Sequence, residues 1–353
     1  MDVLRLAGVP GVGKSTVAWA VARQMAVDGV RVAYVDIDQL GMCYPAPADD
    51  PDRWSLKERA LAAVAAQYAG AGVERLVVSG VADPSVPPQG NGHPTVSLWL
   101  AADEATRRAR LAPRGWAHEQ VDEVLAVGTR ETAAAHPSWA RVDTDESTVD
   151  ATVRAVRERW RGGVAEPAPA FVVAQAGTTE HVVWITGPRC AGASRVGWEI
   201  VSPMWAEGRR AGFIDVAQLG FSWNVSAQLG LRSAVVLQRT FAAVGAQTLV
   251  AVAPLDVGPE EVRAAFPDAD VRFLRLDADE ESRRDRAVRR AAGADALLAG
   301  DDLVGATERM IDDVVAQGSR QRAMPVRAGE RLIDTTATPL PQVAARVAAE
   351  IAC

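Results

Sequence analysis

Two short apolar runs lie 179 residues apart, and each ends in a glycine-rich turn followed by a helix-forming stretch. This repetition limits the possible fold more than any other feature of the chain. Val3–Ala7 leads into Gly8-Val9-Pro10-Gly11-Val12-Gly13-Lys14-Ser15, and Val182–Thr186 leads into Gly187-Pro188-Arg189-Cys190-Ala191-Gly192-Ala193-Ser194. The same spacing sets Val35-Asp36-Ile37-Asp38-Gln39-Leu40-Gly41 against Ile214-Asp215-Val216-Ala217-Gln218-Leu219-Gly220. Further on, Leu98-Trp99-Leu100, Asp103-Glu104, Arg107-Arg108 and Arg110 answer to Leu274-Arg275-Leu276, Asp279-Glu280, Arg283-Arg284 and Arg286, now 176 residues apart. Arg141-Val142-Asp143-Thr144 resembles Leu332-Ile333-Asp334-Thr335, each before a final amphipathic stretch. Four landmarks in one order read as a tandem duplication.

Each copy alternates short Val/Leu/Ile runs with longer Ala/Arg-rich stretches, the pattern of βαβ units around a parallel sheet. The expected fold is therefore α/β, two tandem doubly wound parallel-sheet domains. In the first copy the strands are expected at 3–7, 31–36, 75–79, 96–100 and 140–143. Helices are expected near 14–28, 54–70, 103–112, 118–135 and 147–160. The breaker-rich stretch Gly162-Gly163-Val164-Ala165-Glu166-Pro167-Ala168-Pro169 marks a semi-stiff linker. The expected domains are thus 1–161, a linker over 162–180, and 181–353.

Residues 8–15 satisfy G-x-x-x-x-G-K-[ST] between a strand and a helix, the context in which that pattern binds phosphate. Glycines let successive backbone N–H groups and the helix N-terminus face an anion. Lys14 reaches the β- and γ-phosphates of a bound triphosphate, and the Ser15 hydroxyl coordinates Mg²⁺. The expected nucleotide-binding set is Gly8, Pro10, Gly11, Val12, Gly13, Lys14, Ser15 and Thr16. The chain has only two lysines, Lys14 and Lys57, among 38 basic residues, so lysine at this point is a rare choice.

Asp36-Ile37-Asp38 closes the second strand, where ligands gather at the carboxyl ends of a parallel sheet. Strand alternation would put both carboxylates on one face, with Asp36 toward the metal and Asp38 toward a substrate hydroxyl. A strand-ending turn is the alternative use of the same aspartates. Arg107, Arg108, Arg110 and Arg114 follow the fourth strand, and helical spacing gathers Arg107, Arg110 and Arg114 on one side. They can clamp a phosphoryl group or stack on adenine, or form a solvated charged face. Thr144, after the last strand, is placed for a base or ribose contact, or for capping the next helix. Between the second and third strands, Gly41–Gly70 is the expected acceptor region. It mixes Asp49, Asp50 and Asp52 with Arg53, Lys57 and Arg59, and its balance leaves the acceptor's charge open.

This set of residues resembles the small-molecule P-loop kinases, a group that includes shikimate, gluconate and adenylyl-sulfate kinases and chloramphenicol phosphotransferase. The resemblance covers residues 1–160 well and 180–353 as a degraded copy. It implies ATP- and Mg²⁺-dependent transfer of the γ-phosphate to a small-molecule hydroxyl. Lys14 and Ser15 would handle phosphate and metal, Asp38 would be the base or orienting acid, and Arg110 and Arg114 would be lid arginines. Ala193 replaces the lysine and Ala217 replaces the second aspartate in the second copy, which is therefore expected to be a pseudo-kinase completing an intramolecular pseudo-dimer. A nucleotide-dependent regulatory ATPase and a nucleoside-monophosphate kinase remain as alternatives.

A formal charge of −7 and a pI near 5.3 disfavour nucleic acid and acidic membrane as partners. Three cysteines without CxxC spacing suggest neither a disulfide framework nor a zinc site. No signal-like segment or apolar run of membrane-spanning length is visible, so a cytoplasmic location is expected.

Overall fold

The computed structural model describes residues 1–114, 116–162, 177–225, 228–293 and 303–352. Most of the expected linker, including Gly163–Pro169, lies outside the described residues, as does Gly115.

The first half runs β1 (Asp2–Ala7), α1 (Lys14–Val27), β2 (Val32–Asp36), α2 (Ile37–Leu40), β3 (Cys43–Tyr44), α3 (Trp54–Gly70), β4 (Arg75–Ser79) and β5 (Thr95–Ala101). It continues through α4 (Glu104–Leu111), α5 (His118–Ala133), β6 (Ala140–Asp143) and α6 (Val149–Gly162). The second half runs β7 (His181–Thr186), α7 (Ala193–Ala206), β8 (Ala211–Asp215), β9 (Ser222–Trp223), α8 (Leu229–Ala242), β10 (Thr248–Val252) and α9 (Pro259–Ala265). It ends with β11 (Asp270–Asp277), α10 (Glu280–Ala291), α11 (Glu308–Arg322), β12 (Glu330–Asp334) and α12 (Leu340–Ala352).

The strands are apolar on both faces because helices cover both, so β1 buries five of its six residues. Short-range chemistry sets the helix ends. Asp103 caps α4 by accepting from Thr106 N at 2.7 Å, and Asp279 caps α10 by accepting from Ser282 N at 2.8 Å. Helix α1 stops at Asp28-Gly29, where Gly29 turns to φ 82° and Val30 N closes on the Met25 carbonyl.

Two six-stranded sheets result, ordered β6-β5-β1-β4-β2-β9 and β12-β11-β7-β10-β8-β3. They repeat one strand order, and all pairings are parallel except those of the last strand in each. That last strand is where the compact units depart from contiguous halves. One unit comprises Met1–Gly41, the chain from Trp54 through α6, and Phe221–Leu229. The other takes Met42–Arg53 together with most of the second half. In the first unit, β9 lies antiparallel to β2, Val32 opposite Trp223, and Trp19 packs edge-on against Tyr34, Phe221 and Trp223 at 5.3, 4.8 and 5.2 Å. In the second, β3 lies antiparallel to β8, Phe213 N donates to the Met42 carbonyl at 2.7 Å, and Tyr44 packs on Trp205 at 4.8 Å.

Among the described residues no helix is long and apolar enough to cross a membrane.

Candidate active site

Strand β1 delivers the chain into a loop whose backbone needs glycine. Gly11 and Gly13 take φ 87° and 91°, and a Cβ on Gly11 would lie 3.0 Å from the Arg107 carbonyl oxygen. Gly13 is the N-cap of α1 and brings no side-chain cap. The first N–H groups of α1 are thus available to an anion. Gly8 is equally closed in, since a Cβ there would strike the Leu100 carbonyl oxygen. The loop is braced through its carbonyls: Val9 O accepts from Lys14 Nζ at 3.0 Å, Pro10 O from Arg107 Nε at 3.1 Å, and Val12 O from Thr144 Oγ1 at 3.1 Å. Thr16 lies exposed on the first turn of α1.

The acidic side of the site comes from β2 and its turn into α2. Residues 37–40 are helical rather than extended, so strand alternation does not bring Asp36 and Asp38 together. Asp36 is instead the N-cap of α2, and its Oδ1 accepts from Asp38 N at 2.9 Å. The capping turn places both carboxylates beside Gly80. A Cβ on Gly80 would stand 3.1 Å from Asp36 Oδ1 and 3.3 Å from Asp38 Oδ2. Ser79, register partner of Asp36 on β4, donates to Asp36 Oδ2 at 3.2 Å, and Ser15 Oγ lies 3.5 Å from the same oxygen. Since the Ser79 hydrogen goes to the carboxylate, the Tyr34 hydroxyl donates in turn to Ser79 Oγ, 2.8 Å away. Burial pushes the Asp36 carboxyl up to about 6, with the Asp38 charge adding to it and the Asp38 N–H, Lys14 and Ser79 opposing.

These donors suit Mg²⁺. A serine hydroxyl and one carboxylate are hard oxygens, and magnesium takes its remaining ligands from phosphate and water. Among the described residues no group of three or more His, Cys, Asp or Glu gathers to hold a metal by protein alone.

The candidate arginines separate into different tasks. Arg107 is buried, and its guanidinium reaches the carbonyls of Pro10, Val124 and Leu125, tying the loop to α5. Arg108 pairs with Glu104 and Asp122 on the surface. Arg110 donates to Thr144 Oγ1 at 2.9 Å and to Thr144 O at 2.8 Å, and its Nη1 lies 3.9 Å from the Cβ position of Gly13. Arg110 and Thr144 are thereby joined at the edge of the loop. Arg114 ends a short 3₁₀ turn after α4, and its side chain lies outside the description.

One residue of the expected acceptor region takes a place that the sequence did not assign. Lys57, on α3, forms an ion pair with Asp38 Oδ1 at 3.0 Å. The signal was its rarity: both lysines of the chain stand at one carboxylate cluster.

The second unit builds the same frame with Ala193 and Ala217 in place of Lys14 and Asp38. Gly192 caps α7 at φ 95°, Ser194 Oγ donates to Asp215 Oδ2 at 3.0 Å, and Ala217 N donates to Asp215 Oδ1 at 3.1 Å. Arg286 holds Thr335 through Oγ1 and O, as Arg110 holds Thr144. Arg283, buried like Arg107, donates to Val315 O and to Ser319 Oγ.

Residues 5–131 match the family model described as an AAA domain. Among curated proteins none matches the chain by sequence. Among solved structures, a gluconokinase from Sinorhizobium meliloti 1021 is similar at 14% identity and TM-score 0.33, over 50% of this chain and 94% of that one. An uncharacterized protein from Eubacterium ventriosum ATCC 27560 is similar at 9% identity and TM-score 0.30, over 49% and 99%. The matched residues 5–131 contain the loop, hydroxyls and carboxylates described above.

Proposed function

We propose that the chain is an ATP-dependent phosphotransferase that moves the γ-phosphate of ATP to a hydroxyl of a small molecule. The observation that carries this reading is the meeting of Asp36 and Asp38 at Gly80, with Ser15 of the phosphate-binding loop at the Asp36 carboxylate. In this reading the N–H groups of residues 8–16 cradle the phosphates. Lys14 leaves the Val9 carbonyl to meet the β- and γ-phosphates, offsetting charge as it builds on the transferring group. Ser15 and Asp36 hold Mg²⁺, which when bound neutralises phosphate charge. Asp38 Oδ2 accepts the proton of the acceptor hydroxyl. Arg110 and Thr144 flank the nucleotide base, Arg114 serves as a lid arginine, and Arg107 acts on the nucleotide by bracing the loop rather than by touching it.

The second half, in the same reading, is a duplicated copy that does not transfer phosphate. Ala193 and Ala217 stand where the ammonium and the base would be. It serves as the non-catalytic companion of the first half within one chain, which works in the cytoplasm on a small molecule rather than on nucleic acid or a membrane.

Three full-length proteins test this. Wild type is expected to consume ATP faster in the presence of some members of a metabolite library, nucleoside monophosphates included. Asp38→Asn is expected to lose about two to four orders of magnitude of that acceptor-dependent rate while still binding ATP. Lys14→Ala leaves only the second half able to hold nucleotide, and titration should then find no micromolar ATP binding. Acceptor-dependent turnover that survives in Asp38→Asn sinks the assignment of the base. Tight ATP binding by Lys14→Ala sinks the assignment of the second half.

A further inference from the structure

Lys57 is the most deeply buried ammonium of the candidate site. Its side chain is 6% exposed, whereas that of its partner Asp38 is 42% exposed. Burying an ammonium is unfavourable unless its hydrogens find acceptors, and it has three to place. Among the described residues one goes to Asp38 Oδ1, and the Trp54 ring lies under the nitrogen at 4.7 Å. The ammonium therefore retains donor capacity beside the carboxylate whose other oxygen faces Gly80.

The fold makes room for this side chain on purpose. Gly41 lies against its stem, and a Cβ there would fall 2.6 Å from Lys57 Cγ. In the second unit Gly220 faces Gly230 at the corresponding turn, 3.9 Å from a Cβ placed on Gly220. The same turn thus closes with no lysine in it. That unit carries Ala193, Ala217 and Gly230 where the first carries Lys14, Asp38 and Lys57, yet it keeps the arginine–threonine and serine–aspartate contacts. The lysine is absent where the reactive charges are absent, and the frame does not need it. Lys57 and Asp38 thus form one charged unit that the second unit lacks as a whole.

We infer that Lys57 binds an anionic group of the acceptor, so that the substrate is a small molecule bearing a carboxylate or phosphate near the hydroxyl that is phosphorylated. This rests on the phosphotransferase reading above, and it assigns the two lysines to the two reactants: Lys14 to the nucleotide and Lys57 to the acceptor. The incoming anion takes the ammonium hydrogens that Asp38 does not use, and Asp38 Oδ2 stays turned to the hydroxyl.

The test is an ATP-consumption assay with the full chain on matched acceptors: small hydroxy acids against their primary amides, and sugar phosphates against the parent sugars. Wild type is expected to act on charged members of one set and to leave their neutral partners near the acceptor-free background; which set responds identifies the anion. Lys57→Met is expected to lower kcat/KM on the charged acceptor by about 100-fold, because the anion then enters without a partner, and so to erase most of the preference for the charged member. Lys57→Arg keeps the charge and should keep the preference, which decides the matter should the methionine variant fail to fold. Equal turnover of charged and neutral members, or an unchanged preference in Lys57→Met, overturns the inference and leaves the phosphotransferase standing. If nucleotide binds but no acceptor of any kind raises ATP consumption, the phosphotransferase reading falls and this inference with it.

Discussion

Asp36, the metal ligand of the proposed reading, sits where its charge is costly to the fold. Burial raises its carboxyl to about 6, above its value in an unfolded chain, so near pH 7 the folded state carries a charge that the unfolded state carries more easily. The penalty is present above that value and fades as pH falls through about 6. Asn at this position keeps the cap on Asp38 N and removes the charge. Asp36→Asn is therefore expected to raise the stability of metal-free protein at pH 7 by on the order of 1–2 kcal/mol and to abolish phosphate transfer. Calorimetry in chelator beside an ATP-consumption assay checks both; a loss of stability shows that the charge is already compensated. Burial raises Asp215 in the same direction. Asp215→Asn should also stabilise, and it should leave turnover unchanged, because its unit transfers nothing in the proposed reading. At this scale the sequence was legible where a motif fixes spacing, as at Gly8–Ser15. It misled just past the strand, where the Asp36 carboxylate's own capping bond turns residues 37–40 into helix: Asp36 and Asp38 meet through a hydrogen bond that alternation cannot foresee.

Helices α4 and α5 show a second limit. The Arg107, Arg110 and Arg114 grouping follows from helical spacing, but spacing does not say which arginine turns inward. What turns Arg107 inward is Gly128 on α5: a Cβ there would collide with the Arg107 guanidinium. Gly318 on α11 stands in the same relation to Arg283. Glycine inside a helix gives up about 1 kcal/mol relative to alanine, so these two helices accept a local penalty to seat a buried guanidinium. Gly128→Ala sets the two effects against each other. If helix propensity ruled, the variant would be more stable; because the guanidinium must be displaced from three carbonyls, it is expected to lose about 1–3 kcal/mol. Denaturant titration of the full chain reads the sign. Nucleotide affinity should weaken in the same variant, since Pro10 loses its brace. Arg110→Met, by contrast, should weaken nucleotide binding with little change in stability, because among the described residues Arg110 bonds only to Thr144 at the loop's edge.

For the whole molecule, the parallel α/β sheet of each half was readable from alternating apolar runs, but the membership of its last strand was not. Residues 42–53 and 221–229 are short, each contributes a two-residue strand, and nothing in their composition says which sheet edge they complete. The packing answers it: Trp223 and Phe221 finish an aromatic cluster around Trp19 and Tyr34, while Tyr44 joins Trp205. Division of the chain at the linker would therefore leave β2 without β9 and β8 without β3, each an exposed edge with unpaired backbone groups. Neither half is expected to be stable alone, and isolated fragments are the wrong material for assigning activity to a half. Single substitutions in the full chain test the exchange directly. Trp223→Ala is expected to speed amide hydrogen exchange in α1 and β2, at residues 14–27 and 32–36, although it lies in the second half of the sequence. Its cost is about 2 kcal/mol from lost ring contacts and burial. Tyr44→Ala is expected to speed exchange in α7 and β8, at residues 193–206 and 211–215, although it lies in the first half. Should each substitution loosen only its own half of the sequence, the exchange of edge strands is absent in solution. The linker would then divide two self-contained sheets, as the order of the residues alone suggests.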